Sequence, residues 1–125
     1  MSKSPEMEKV NLQEKFSLFS EYWSPKIVGE LNGQMVKLAK IKGEFDWHHH
    51  ADEDELFLVV RGRVTIKLRD RDVLLEPGEI FIVPRGVEHK PVAEEEAHIL
   101  MFEPATTLNT GNVQTQKTVR ILDRI

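Results

Sequence analysis

The stretch "WHHHADEDELFLVVRG" sets three consecutive histidines, His48 to His50, and four acidic residues just ahead of an apolar run. Imidazole nitrogens and carboxylate oxygens are donors that divalent transition metals accept. Whether these donors can meet is a question of geometry. On a strand, side chains alternate, so His48 and His50 share one face and His49 takes the other. The residues "ADED" suit a hairpin loop, which would set His50 directly opposite Glu55 with Cβ atoms roughly 4.5–5.5 Å apart. His48, His50 and Glu55 then converge on one point, and His49 does not. In "GEIFIVPRGVEH" a strand from Glu79 to Val83 stops at Pro84, turns through Gly86 and delivers His89. Imidazoles with one carboxylate suit Fe, Mn, Zn, Ni or Cu.

The elements that must position these residues are mostly strands. Asn32-Gly33, the strongest short hairpin signal, joins "KIVGE" to "QMVKLAKIK". The segments "EFDWHHH", "ELFLVVR", "RVTIKLR", "DVLLEP", "EIFIVP" and "EAHILMFEP" follow at short intervals. Val64, Ile66 and Leu68 alternate with Thr65, Lys67 and Arg69, the pattern of a half-buried strand. Short strands at this spacing predict an all-β sandwich or barrel.

Ahead of them, residues 1–26 read as a polar lead-in over 1–10 and a helix from Leu12. Leu12, Phe16, Phe19 and Trp23 share a helical face, Asn11 caps it, and Ser24-Pro25 ends it. Residues 27–104 make the barrel. Residues 105–125 read as a polar arm lying across the barrel or a neighbour. His98 is expected to be a structural histidine with a satisfied hydrogen bond, and "DED" at 52–54 and "EEE" at 94–96 to be solvated loops.

Composition narrows the function. The chain has 125 residues, no cysteine and a net charge of −4, so thiolate sites and disulfides are excluded. No basic stripe favours nucleic acid or anionic membrane. No apolar run approaches the about 18–20 residues of a membrane span, and no apolar leader opens the sequence, so a cytoplasmic location is expected.

The two histidine-bearing stretches resemble the motifs of the cupin family. Gly43 to Gly62 is similar to the first motif, with His48, His50, Glu55 and Gly62 at the matching positions, though its lead-in is one residue shorter. Gly78 to His89 matches every fixed position of the second, G-x5-P-x-G-x2-H. Where an asparagine often follows four residues after the last histidine, this chain has Ala93. The resemblance implies a double-stranded β-helix (a small β-barrel or jelly roll) binding one divalent transition metal ion, Fe, Mn, Ni or Zn, through His48, His50, Glu55 and His89. It also implies a homodimer, which agrees with apolar residues on both faces of "ELFLVV". The expected function is a small metalloenzyme, an oxygenase or isomerase, acting on a small polar metabolite. The alternatives are a metal-dependent binding or sensing module without turnover, and a cupin that uses only the fold. Because ligation needs neutral imidazole, metal affinity is expected to fall below about pH 6.5.

Overall fold

The computed structural model describes residues 7–125; the first six residues of the expected polar lead-in lie outside the described residues. The described residues form one short helix and eight strands. Helix α1 covers Leu12–Phe16, and the strands are β1 Lys26–Leu31, β2 Gln34–Glu44, β3 Glu55–Arg61, β4 Val64–Leu68, β5 Asp72–Leu75, β6 Ile80–Val83, β7 His89–Pro104 and β8 Asp123–Arg124. The hairpin at Asn32-Gly33 joins β1 to β2 as expected, with both turn residues at positive φ.

Strand β7 organises the sheet. Along one edge it pairs with β2 from Val92 to Pro104, and along the other with β4 at its start and β3 towards its end. Its inward residues Ala97, Ile99 and Met101 pack with Ala39 and Ile41 of β2, Phe57 and Val59 of β3, and Val64 and Ile66 of β4. Ala93 belongs to this core and is paired with Gly43, so the position that often carries asparagine here packs as a small apolar residue.

The expected loop at Glu94–Glu96 is instead part of β7. Between the pairs Ile41–Ala97 and Gly43–Ala93, those three residues stand opposite the single Lys42. The strand bulges there and turns all three glutamates outward, which breaks the alternation that marks a strand. The "DED" segment at 52–54 remains a loop.

The helix is shorter than its aromatic spacing predicts. Asn11 Oδ1 accepts from the Glu14 N–H, the expected cap, but the helix stops at Ser17, whose hydroxyl donates to the Glu14 carbonyl. The chain then runs along β2: the Trp23 N–H donates to the Lys40 carbonyl, and Lys40 Nζ donates to the Phe19 carbonyl. Tertiary pairing with β2 wins over a helix too short to hold by itself. The aromatics dock separately, Phe16 stacked on His98 with centroids 4.6 Å apart and Trp23 on Phe45 at 4.8 Å. His98 Nε2 lies 2.8 Å from Glu96 Oε2, so it is a hydrogen-bonded structural histidine, as expected.

With Phe19 and Leu38, Phe16 forms a second core on the outside of the sheet, packed by Leu12, Val60 and Leu100. The outward face of β3 is therefore covered by the chain itself at Val60. At Leu56 and Leu58 its neighbours across the sheet are Ile82 and Ile80, both more than half exposed.

Gly62 turns the chain from β3 to β4 at φ +81°, and a Cβ there would stand 2.9 Å from the Glu96 carbonyl oxygen. Gly62→Ala is expected to lower stability by about 1–3 kcal/mol through strain and that contact, read as a lower urea midpoint with an unchanged slope.

Candidate metal centre

The residues from Phe45 to Asp54 do not continue β2 as a strand, nor do they form a hairpin with β3. They are joined to the second motif instead. The Phe45 N–H donates to the Pro91 carbonyl, and His48 and His89 exchange both backbone hydrogen bonds, at 3.1 and 2.9 Å. The Gly86 N–H donates to the His50 carbonyl at 2.8 Å, and Glu55 pairs with Val83 across β3 and β6. Three successive points of the second motif, at 83, 86 and 89, thus hold Glu55, His50 and His48. The expected direct opposition of His50 and Glu55 is corrected: they meet because the same turn fastens both.

The outcome for the side chains is the convergence expected from the sequence. His48, His50, Glu55 and His89 are all buried, and one donor atom from each lies within 4.8 Å of the others. Glu55 Oε1 is 3.2 Å from His89 Nε2 and 3.4 Å from His50 Nε2. His48 Nδ1 and His89 Nδ1 each sit 2.9 Å from a backbone carbonyl two residues earlier, Asp46 and Val87. A ring N–H donated there leaves Nε2 as a bare lone pair facing the cluster, the orientation a metal ligand needs.

His50 differs: its buried Nδ1 has no hydrogen-bond partner, and its Nε2, 3.4 Å from Glu55 Oε1, is not aligned for one. Buried polar atoms are normally paired. An orphaned imidazole beside a buried carboxylate and two further imidazoles is a donor set that fits a transition metal.

The electrostatics agree. Burial, helped by the neighbouring His89, pushes His48 down to about 4, so its ring stays neutral well below the ordinary histidine value. Burial raises Glu55, but its contacts with His50 and His89 outweigh that and hold it below the ordinary carboxylate value. His49 lies outside the cluster; its backbone N–H and carbonyl are both bonded to Asn112, with Asn112 Oδ1 accepting at 2.8 Å.

Three features were not read from the sequence. Lys37 and Glu103 form a buried ion pair, Nζ to Oε1 3.7 Å, and Glu103 lies against Glu55. Burial and the Glu55 charge push the Glu103 carboxyl well up. Their signal was present, since Lys37 shares strand parity with Ala39 and Ile41, and Glu103 with Ile99 and Met101. The third is where the expected arm lies: its residues 109–112 pack against the histidines. Thr110 is fully buried, and a Cβ on Gly111 would come within 2.2 Å of the His49 carbonyl oxygen and 3.1 Å of the His48 ring. The arm ends beside β1, where β8 pairs with it in parallel.

A cavity of ≈ 40 Å³ opens beside His48, bounded by Trp23, Phe45, Phe57, Met101 and Asn109.

This topology is matched among known proteins. The family model described as a cupin domain matches residues 34–103. The chain belongs to the cupin family. A solved cupin-2 domain containing protein from Shewanella frigidimarina is 48% identical, superposes with a TM-score of 0.75, and the match covers 76% of this chain and 93% of that one. The uncharacterized protein YdbB of Bacillus subtilis is 39% identical over 64 residues, 50% of this chain and 57% of that protein. A 3-hydroxyanthranilate 3,4-dioxygenase of Xenopus laevis is 26% identical over 101 residues, 75% of this chain and 36% of that enzyme. This cupin therefore spans little more than half of one relative and about a third of the other.

Two outcomes are expected. Asn112→Ala frees the His49 backbone and should weaken zinc binding about 10–100-fold, measured by competition with a chromophoric chelator, with little change in melting temperature of the metal-free protein. The second concerns acid. A histidine whose folded pKa lies below its unfolded value binds fewer protons when folded, so stability is lost as pH falls from about 6.5 towards 4. Glu103, raised in the fold, works in the opposite sense above its unfolded value, and Glu55 adds to the loss only below about 4.5. Metal-free protein carrying Glu103→Gln should therefore lose about 3 kcal/mol across that window, at about 1.4 kcal/mol per pH unit, read by urea denaturation.

Proposed function

We propose that this cupin is a small metalloenzyme of the oxygenase or isomerase class, holding one divalent transition metal (Fe, Mn, Ni or Zn) on His48, His50, Glu55 and His89. The observation that carries this reading is the burial of these four donors around one point, with His50 left without any hydrogen-bond partner. Its substrate is a small polar metabolite whose donor atoms reach the metal's open positions. A metal in that position supplies Lewis acidity or, where it is redox-active, dioxygen chemistry.

The chain's own residues do the rest. The Asp46 and Val87 carbonyls keep His48 and His89 turned with Nε2 inward, and Glu55 brings the negative charge that a divalent cation offsets. Glu103 supports an enzyme over a passive binder. It is a further buried carboxyl against Glu55, outside the ligand set, and proton transfer needs such a group. The dioxygenase named among the relatives supports the oxygenase branch.

The second reading, a metal-dependent binding or sensing module, is favoured by the cavity wall, where His48 is the only titratable lining residue. Turnover of a metabolite panel against binding without turnover separates the two.

No described helix is long and apolar enough to cross a membrane. We place the protein in the cytoplasm as a homodimer, the exposed Ile80 and Ile82 beside Leu56 and Leu58 supporting that assembly. Ile82→Glu should shift the mass in light scattering to that of a monomer.

The first experiment is elemental analysis of untagged protein purified anaerobically without chelator. Wild type is expected to carry about one equivalent of metal and His50→Ala almost none. Wild type that carries no metal and takes none up on reconstitution would remove the metalloenzyme reading.

A further inference from the structure

We propose that the cavity between Trp23 and His48 seats a short alkyl group of the ligand, and that Trp23 sets how large that group can be. This rests on the metal reading above: the ligand's oxygen donors meet the metal, and the cavity takes the part of the molecule that the metal does not.

The wall chemistry points to an apolar occupant. Besides His48, the lining residues with polar side-chain atoms are Trp23 and Asn109. Both are already engaged elsewhere. Trp23 Nε1 donates to the Lys42 carbonyl at 3.0 Å. Asn109 Nδ2 donates to the Lys117 carbonyl at 2.7 Å, and Asn109 Oδ1 accepts from the Val119 N–H at 2.9 Å. His48 Nδ1 lies 2.9 Å from the Asp46 carbonyl, which leaves only its metal-facing nitrogen. A hydroxyl or charged group entering this space would find no partner on the wall and would lose its water. Ala39, Phe45, Phe57, Ile99 and Met101 offer it only apolar surface.

Size narrows the class further. At ≈ 40 Å³ the cavity is far smaller than the about 150 Å³ in which a benzene ring is accommodated. It suits a methyl, ethyl or isopropyl group, not an aromatic ring. The boundary on the outer side is Trp23, which stands at φ +59°, a conformation a bulky side chain rarely adopts. It is held there by its N–H on the Lys40 carbonyl, its indole on the Lys42 carbonyl and its stack on Phe45. Surroundings that maintain such a backbone fix the side chain as a rigid end wall. Trp23 is thus a specificity-determining residue, and the ligand is a small oxygen-donor molecule carrying a short aliphatic branch.

The test uses cobalt-loaded full-length protein and the visible absorption of the bound cobalt. The probes are pyruvate, 2-oxobutyrate, 2-oxoisovalerate and phenylpyruvate. In wild type, affinity should rise several-fold from pyruvate to the branched acid and fall at least tenfold for phenylpyruvate. Trp23→Ala should reverse the last step and admit phenylpyruvate. Ala39→Val, which adds bulk to another lining residue of the cavity, should bring the ratio of 2-oxoisovalerate to pyruvate affinity down to about one, and it keeps the test decisive if Trp23→Ala does not fold. Cobalt that binds with affinities flat along the series, or with phenylpyruvate tightest in wild type, overturns this proposal alone. Protein that takes up no cobalt overturns the metal reading and this proposal together.

Discussion

Glu55 is a carboxylate with no route to water, and the interior of the barrel is arranged around that fact. A buried charge must be paired or it does not persist. The cationic-capable groups beside its Oε1 among the described residues are the rings of His50 and His89, and those rings are delivered by backbone hydrogen bonds between two segments that are far apart in sequence. The pairings at Val83, Gly86 and His89 act together: loosening one lets a ring swing away and leaves the carboxylate exposed to a low-dielectric wall. Stability and ligand geometry therefore rest on the same few hydrogen bonds.

Lys37 and Glu103 extend this economy of charge. Two carboxyl groups in contact cannot both stay ionised without a compensating cation, and Lys37 is the lysine that stands beside Glu103. A buried pair of this kind does little for stability in itself. Its placement against Glu55 gives the second carboxyl a chemical context that an exposed glutamate would lack.

Much of this was legible in the sequence. Alternation gave β3 and β4 their inward faces, Asn32-Gly33 gave the first hairpin, and the spacing of His48, His50, Glu55 and His89 gave the cluster. The failures share a cause. The histidine segment has strand-like parity at 48 and 50, yet its hydrogen bonds go to the second motif one at a time, which no local pattern records. Glu94–Glu96 read as a loop because a bulge turns three consecutive side chains outward. Phe16, Phe19 and Trp23 sit at helical spacing, but each docks on a different part of β2 or β7, so contacts made at long range override the period. The role of Asn109 to Asn112 was hidden for the same reason: a polar tail looks alike whether it waves in solvent or clasps a buried histidine segment.

That clasp also sets an order of events in time. Translation delivers His48 to His50 some sixty residues before Gly111 and Asn112, which close over them. A nascent chain thus presents His48 and His50 unrestrained to whatever cations surround the ribosome, and residues made well after them give that segment its defined place. Any cation such a cluster took up would then be selected kinetically at the moment the arm closes, by what is at hand and how fast it exchanges, as well as by the finished geometry.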